Sequence, residues 1–434
     1  MQLFKSSLDP SCADHRLLFL LPGAAEQFSA PDVPHPFRQA GIDPIYMFFI
    51  SSTLGEESSQ HEAALFVLPR DSHKELWEGA RAGGDGALQL TGVDLCADSA
   101  EFTRFLQAFL KTSGPVCVCV DPMAFDRGAS GSNGGQAQAV RDFLKEGRAK
   151  LRFAQVFPRS LVHQLRWVKS PAEQKLMRRA GAIGSRALGA TMAFARPGME
   201  ERVLTAKMDL EGRLQGAAAL AYPPVVAGGN RANTIHYLTC DQVLNEKELV
   251  LMDAGVDYYG YVSDITRTWP VDGVWSDAQR CVYEALHEVQ TNLLHYARKE
   301  RPLILSEIHT EMLRELGNVL HRLKIVPESI FGADLKVCAD KFCPHHVSHY
   351  LGMDVHDTST IPRSKPVKAG VVITVEPGLY FPEDCDEVPA EFRGIGIRIE
   401  DDVLITETGS EVLTESCPRS ISDIEAVLNS EKSS

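Results

Sequence analysis

Two aspartates in one aromatic stretch have a spacing that suits metal chemistry. Asp253 and Asp264 lie eleven positions apart within residues 249–270, which are rich in β-branched and aromatic side chains. Those residue types predict a β-hairpin. A turn centred between Tyr258 and Tyr259 would place the two aspartates opposite each other. Two carboxylates that close repel, so one must be protonated unless a positive charge lies between them, and a metal ion would supply that charge. The alternative is an exposed hairpin whose two aspartates point into water.

Three further motifs in the C-terminal half each contain one candidate metal ligand. The segments PHHVSHYLGMDVHD, VVITVEPGLY and GIGIRIEDD contain His349, Glu376 and Glu400 respectively. The alternation of side chains predicts that each glutamate ends a strand that is otherwise apolar. Because buried carboxylates need partners, these positions also favour a metal site.

The candidate ligands are four carboxylates and one imidazole: Asp253, Asp264, His349, Glu376 and Glu400. An oxygen-rich set with a single histidine suits Mn²⁺, and Co²⁺, Fe²⁺ and Zn²⁺ are alternatives. Carboxylates can bridge two ions, so five such ligands predict two metal ions rather than one.

Two helices are predicted ahead of these motifs. Ser170 has the pattern of an N-cap, because a proline follows it and Glu173 completes a capping box. We expect that helix to end at about Phe194, where a Pro-Gly pair soon follows. A second helix is expected over residues 200–215, ending at a glycine.

The N-terminal region is predicted to be a smaller mixed α/β domain. We place it at residues 1–168, and the catalytic domain at residues 169–434. Apolar or β-branched runs predict strands at residues 16–22, 45–50 and 116–120. One helix is predicted to be capped by Ser72, and another to cover residues 136–146.

The composition excludes several classes of function. With 434 residues, 44% hydrophobic and 24% charged, the chain has the composition of a soluble globular protein. A formal net charge of −14 argues against nucleic-acid or anionic-membrane surfaces. No apolar run reaches the roughly 18 residues of a membrane span. The ten cysteines include no C-x-x-C pair, which favours reduced thiols in an intracellular protein.

Taken together, the motifs resemble those of the M24 metallopeptidases. AYPPVVAGGNRANTIHY is followed by DAGVDYYGYVSDITRTWPV, HHVSHYLGMDVHD, TVEPGLY and GIGIRIEDD, in the order of that family. Within it the chain is most similar to aminopeptidase P, the Xaa-Pro aminopeptidases, and to their eukaryotic type 3 branch. The resemblance is continuous from about Trp167 and implies an α/β (α+β) protein with a C-terminal pita-bread fold. It fails around residues 40–60, where we expect an atypical, protease-sensitive segment.

The resemblance implies a role for each candidate ligand. Asp253 would bind one metal ion, and His349 and Glu376 would bind the other. Asp264 and Glu400 would bridge the pair. A hydroxide between the two ions would be the nucleophile. Glu376 would also be catalytic, carrying a proton to the leaving amine.

Five other residues would act on the substrate. His236 and His356 would hydrogen-bond the scissile carbonyl and the developing oxyanion, and are counted as catalytic. His345 would line a proline pocket. Tyr380 and Arg398 would support the substrate channel and a bridging carboxylate. Each of these five residues has a structural role in the core as its alternative.

The function implied by the resemblance is release of the N-terminal residue from peptides whose second residue is proline. One alternative is a prolidase-type dipeptidase on the same fold. Another is a non-catalytic binding module, which the complete ligand set argues against. We also expect a homodimer with peptide partners, without nucleic-acid or membrane partners. The expected location is mitochondrial by resemblance, or cytoplasmic because the first fifteen residues do not read as a presequence.

Overall fold

A computed structural model of the chain describes residues 16–21, 28–30, 33–34, 46–51, 61–111, 114–121, 134–154 and 158–430. The chain forms two compact units, Met1–Val162 and His163–Ser434. The sequence predicts a slightly later boundary, after residue 168. Among the described residues, no helix combines the length and apolar character that a membrane span requires.

The first unit is built on a six-stranded mixed sheet. Its strands are β1 (Arg16–Leu21), β2 (Phe28–Ala30), β3 (Val33–Pro34), β4 (Tyr46–Ser51), β5 (His61–Val67), β6 (Leu95–Asp98), β7 (Val116–Cys119) and β8 (Leu151–Phe153). The spatial order is β6-β5-β4-β1-β7-β8, and β2 and β3 form a separate ribbon. The helices of this unit are α1 (Ser72–Glu78), α2 (Gly83–Thr91), α3 (Phe102–Lys111) and α4 (Gly134–Glu146).

An apolar core holds the first unit together. Leu18, Phe66 and Phe102 are almost fully buried, and the two phenylalanine rings meet edge to face at 5.4 Å. The strand predicted at residues 45–50 is confirmed as β4, which pairs antiparallel with both β1 and β5. The rest of the segment that we expected to be atypical lies outside the described residues.

The predicted cap of α1 is wrong by one residue. Asp71, not Ser72, is the N-cap, because its carboxylate accepts hydrogen bonds from the backbone N–H groups of His73 and Lys74 at 3.0 and 3.1 Å. Ser72 is the first helical residue instead. Both residue types favour an N-cap, and the side chain that reaches the free N–H groups decides between them.

The second unit contains four small antiparallel sheets and a set of longer helices. Its strands are β9 (Ala219–Leu220), β10 (Val225–Gly228), β11 (Leu249–Ala254), β12 (Val256–Tyr258), β13 (Tyr261–Val262), β14 (Ile265–Pro270), β15 (Tyr350–Leu351), β16 (Val372–Val375), β17 (Gly378–Phe381), β18 (Ile395–Arg398), β19 (Asp401–Thr406) and β20 (Gly409–Val412). The sheets have the orders β10-β11-β14, β13-β12-β9, β15-β16-β19-β20 and β17-β18. Helix α5 (Pro158–Trp167) leads into the unit, and the others are α6 (Pro171–Phe194), α7 (Glu201–Leu214), α8 (Asp277–Lys299), α9 (Leu305–Arg322), α10 (Gly332–Phe342) and α11 (Ile421–Ser430).

The capping box predicted for α6 is confirmed. The Glu173 carboxylate accepts from the Ser170 N–H at 2.6 Å, and the Ser170 hydroxyl accepts from the Glu173 N–H at 3.3 Å. Helix α6 then lies very close to the strands that follow it. A Cβ atom on Gly184 would stand 2.5 Å from the hydroxyl of Ser263, so this approach requires glycine.

The aromatic stretch forms antiparallel strands, but not in the predicted register. Asp253 in β11 lies opposite Thr266 in β14, whereas the prediction placed it opposite Asp264. The bend lies at Tyr259 and Gly260, whose φ angles are 52° and 78°. A tight hairpin turn of this kind requires positive φ at both central residues, so the turn includes the glycine rather than preceding it.

Candidate active site

The two aspartates meet although they are not opposed in the ladder. Asp264 lies in the break between β13 and β14. The hydroxyl of Tyr222 donates to Oδ1 of Asp253 at 2.6 Å and also contacts Oδ1 of Asp264. Burial and the neighbouring carboxylates hold the pKa of Tyr222 well above its ordinary value, so it remains a donor. Sequence reasoning missed Tyr222, although it lies within the quoted AYPPV segment.

His349, which directly precedes β15, lies close to the carboxylates of Asp264 and Glu376. Its Nε2 atom lies 3.3 Å from Oδ2 of Asp264 and 3.5 Å from Oε1 of Glu376. Its Nδ1 atom lies 3.1 Å from the carbonyl oxygen of Tyr350, which positions the ring so that Nε2 faces the site. Burial lowers the pKa of His349, but these carboxylates outweigh it and raise the pKa to about 9.

Two threonines position the two glutamates. The hydroxyl of Thr374 in β16 donates to Oε1 of Glu376 at 3.1 Å, as expected if both residues share one face of the strand. The hydroxyl of Thr266 in β14 donates to Oε2 of Glu400 at 2.6 Å. One ligand atom from each of Asp264, His349 and Glu400 lies within 4.8 Å of the others.

Four carboxylates therefore lie near one permanent cation, the guanidinium of Arg398. Asp264 and Glu400 are buried, and the side chains of Asp253 and Glu376 are only 16% and 14% exposed. Burial raises the pKa of Asp253 and Glu400, and it raises that of Glu376 to about 7 although His349 opposes the shift. Burial also acts to raise the pKa of Asp264, but its hydrogen bond with His349 leaves that pKa below the ordinary value. A buried excess of negative charge on oxygen donors, with one imidazole, fits a divalent metal ion.

Arg398 connects this cluster to a second set of polar side chains. It donates from Nη2 to Oδ2 of Asp253 at 2.7 Å and from Nη1 to the Tyr380 hydroxyl at 2.8 Å. That hydroxyl lies 2.9 Å from Nε2 of His345. The geometry gives His345, Tyr380 and Arg398 one continuous hydrogen-bonded path to Asp253.

The carboxylates open into a cleft of about 800 Å³. Apolar side chains form part of its wall: Pro223, Val225, Ile235, Leu238 and Val355. Polar residues along it include His236, His345, His346, His356 and Arg363. The rings of His349 and His356 lie 4.6 Å apart and are nearly perpendicular. Tyr380 is buried and reaches the cleft wall through its bond with His345.

Comparisons with known proteins agree with this geometry. Residues 175–407 match the model of metallopeptidase family M24, and residues 11–118 match the aminopeptidase P N-terminal domain. The chain is 40% identical to human Xaa-Pro aminopeptidase 3, over 93% of this chain and 79% of that protein. The chain belongs to the Xaa-Pro aminopeptidase family of M24 metallopeptidases.

Other members of the family extend the comparison. The chain is 36% identical to the mitochondrial intermediate cleaving peptidase 55 of Arabidopsis thaliana, over 95% of this chain and 79% of that protein. An Escherichia coli aminopeptidase P variant in complex with substrate superposes with a TM-score of 0.85 at 31% identity, covering 100% of this chain and 97% of that one. The zinc-substituted E. coli enzyme in complex with product gives a TM-score of 0.84 at 31% identity, over 98% and 96% of the two chains.

Membership of the Xaa-Pro aminopeptidase family confirms the fold class and the family that the motifs predict. This family of metallopeptidases, together with the zinc-substituted relative, indicates that the chain binds divalent metal ions. The chain is an enzyme of the metallo-aminopeptidase class. Mitochondrial members exist among its relatives.

Proposed function

We propose that this chain hydrolyses the bond between an N-terminal residue and a following proline in peptides. The observation that carries the proposal is the largely buried cluster of four carboxylates and His349, which lines a partly apolar cleft. An Xaa-Pro bond has no N–H group and a restricted φ, so a site that grips an extended backbone binds it poorly. The apolar side chains in the wall of the cleft suit the proline ring.

The proposed cofactor is a pair of Mn²⁺ ions. Asp253 would hold one ion, His349 and Glu376 would hold the other, and Asp264 and Glu400 would be shared between them. The spacing of Asp264, His349 and Glu400 supports this assignment. When bound, the ions neutralise the carboxylates, polarise the scissile carbonyl and acidify a water molecule near neutral pH.

Glu376 is the proposed proton carrier. Its carboxylate lies at the end of β16, held by the Thr374 hydroxyl. A carboxylate that binds a metal ion through one oxygen can accept a proton on the other, which suits Glu376 to proton transfer. It takes a proton from the attacking water and delivers it to the prolyl nitrogen, which leaves as a secondary amine.

The cleft histidines orient the substrate. His236 and His356 donate hydrogen bonds to the substrate carbonyl and to the oxyanion that develops during attack. His345 forms the side of the proline pocket, and its contact with Tyr380 keeps the ring in place. Arg398 and Tyr380 act from behind the pocket by holding His345 and Asp253.

Further features of the enzyme follow from its family. We propose that residues 1–168 form the aminopeptidase P N-terminal domain and residues 169–434 the catalytic domain. We also propose that the protein is a homodimer and works in the mitochondrion, as its relative in Arabidopsis thaliana is named for that compartment.

The proposal is tested with Mn²⁺-loaded protein and three peptides: an Xaa-Pro dipeptide, an Xaa-Pro-Xaa tripeptide, and an Xaa-Ala-Xaa control. Rapid release of the first residue from the tripeptide, with little cleavage of the control, is the expected result. Cleavage confined to the dipeptide would identify a prolidase. No cleavage of any peptide by folded, metal-loaded protein would contradict the proposed activity.

A further inference from the structure

The loop that carries His356 is tied to the segment just before helix α6. The backbone N–H of Thr360 and its hydroxyl lie 3.2 and 2.9 Å from Nδ1 of His163, which is buried. Earlier in the loop, Asp354 accepts a hydrogen bond from Nη2 of Arg166 at 2.6 Å. The side chains of His163 and Arg166 therefore hydrogen-bond to the loop on both sides of His356.

Between these two contacts lies a buried ion pair. The side chain of Asp357 is fully buried, and its Oδ1 atom lies 2.6 Å from Nη2 of Arg166. Its Oδ2 atom lies 3.3 Å from Nζ of Lys169, whose side chain is 1% exposed. The ammonium group of Lys169 also donates a hydrogen bond to the carbonyl oxygen of Trp167 at 3.4 Å.

The backbone of the loop packs closely against the carboxylate of Asp357. A Cβ atom on Gly352 would lie 2.2 Å from Oδ2 of Asp357 and 2.9 Å from Nζ of Lys169. The backbone N–H of Asp357 donates to the carbonyl oxygen of Tyr350 at 2.9 Å. The ion pair thus fixes the chain at position 357 against the strand that begins next to His349.

We propose that Lys169 is a positioning residue for His356, acting through Asp357. This inference rests on the proposed role of His356 in binding the substrate carbonyl. Removing Lys169 would take away the cation that holds Oδ2 and leave the buried carboxylate paired with Arg166 alone, so Asp357 would shift and take the adjacent His356 with it. Misplacement of a substrate-binding group by about 1 Å can cost roughly a hundredfold in rate.

Apolar packing holds this loop at Val355, which packs against a buried cluster that includes Met177 and Leu351, but other residues of the loop are exposed. Met353 is 40% exposed, and the His356 side chain is exposed within the cleft. Polar anchors hold the loop in addition to this apolar contact, and Lys169 is the most deeply buried cation among them. No other described lysine or arginine lies within ion-pair distance of Asp357 besides Arg166 and Lys169.

The test replaces Lys169 with methionine, whose unbranched side chain is one atom shorter than that of lysine and carries no charge. Lys175→Met is the matched control, because Lys175 lies nearby in the chain, in the first turns of helix α6, and is exposed. We expect Lys169→Met to retain its metal content and to lose about tenfold to a hundredfold in kcat on an Xaa-Pro-Xaa tripeptide. Lys175→Met should match the parent protein.

A double-mutant cycle separates positioning from general destabilisation. If Lys169 acts through His356, the loss caused by Lys169→Met should nearly vanish in a His356→Ala background. Equal losses in both backgrounds would overturn the inference, as would loss of metal or unchanged kcat in Lys169→Met. Should Lys169→Met fail to fold, Arg166→Gln serves in the same cycle, because the Arg166 side chain is 23% exposed. An inactive parent protein would contradict the proposed function instead, before any variant is compared.

Discussion

Tyr222 donates a hydrogen bond to Oδ1 of Asp253 at 2.6 Å, and the same carboxylate accepts from Arg398 at 2.7 Å through its other oxygen. Both oxygens of this candidate metal ligand are thus oriented by neighbours. Tyr222→Phe removes the hydroxyl and keeps the ring. We expect its affinity for Mn²⁺ to fall roughly 10–100-fold, the usual cost of losing a group that orients a metal ligand. Calorimetric titration of metal-free protein measures this change.

Tyr259→Phe is the control for that variant, since its side chain is 76% exposed at the hairpin tip. It should bind Mn²⁺ as the parent protein does. Equal affinities of the parent and Tyr222→Phe would show that the hydroxyl has no part in holding Asp253.

The second prediction concerns Gly255, between β11 and β12. A Cβ atom there would stand 1.7 Å from the carbonyl oxygen of Ser263, so Gly255→Ala must displace backbone next to both aspartates. We expect a loss of about 1–3 kcal/mol in the free energy of unfolding, the typical cost of overpacking, together with weaker metal binding. Urea unfolding and metal titration measure the two effects.

Gly189→Ala provides the comparison. Its added Cβ atom would meet Pro418 at an ordinary 3.6 Å, and alanine favours the interior of helix α6. This variant should be at least as stable as the parent. If Gly255→Ala is equally stable, the strands at the site have more freedom than the close approach indicates.

The ligand positions were predictable because each one lies in a local pattern. Glu376 and Glu400 end apolar strands, and strand alternation places Glu376 on the same face as Thr374, as observed. The hairpin register was not predictable in this way. The choice between a turn before Gly260 and a turn that includes it shifts the partner of Asp253 by two residues. Local propensity is too weak to decide between these two registers. The packing of α6 and β9 against the hairpin also influences which register forms.

Residues that act through contacts with distant parts of the chain were not predicted, because no local pattern connects them. Tyr222 and Asp253 are 31 positions apart, and Lys169 and Asp357 are 188 apart. No periodicity in the sequence connects such pairs. A buried lysine is uncommon, and the sequence alone does not show that Lys169 is buried beside an aspartate that is distant in the chain.

The third prediction concerns the pH dependence of stability. Asp401 is buried and accepts hydrogen bonds from Arg267 at 2.7 Å, Gln290 at 2.6 Å and Arg419 at 2.8 Å. Burial acts to raise its pKa, but the two arginines keep it below the ordinary value of 3.8. A carboxylate with a lowered folded-state pKa stabilises the protein above its unfolded-state pKa, and this contribution is lost as the pH falls below that value.

Asp401→Asn should therefore be less stable at neutral pH by about 3–5 kcal/mol, because it leaves Arg267 buried without its counter-charge. The difference from the parent should shrink as the pH falls below about 4, where the parent loses the same contribution. Urea unfolding across this range measures both effects. Asp386→Asn is the control, since that side chain is 93% exposed and should change nothing measurable. A difference that stays constant down to acidic pH would contradict the assignment.

The last prediction separates metal ligands from substrate-binding histidines, using metal content and Xaa-Pro-Xaa hydrolysis measured on the same samples. His349→Ala should lose metal and activity together, because Nε2 faces Asp264 and Glu376 at 3.3 and 3.5 Å. Glu376→Gln keeps the size of the side chain but removes its charge, so both metal binding and proton transfer should weaken.

His356 contacts the His349 ring at a centroid distance of 4.6 Å and lines the cleft. His356→Ala should keep its metal and lose roughly a hundred- to a thousand-fold in kcat/KM, as expected for one oxyanion donor. If His356→Ala releases metal as fully as His349→Ala does, His356 belongs to the metal site.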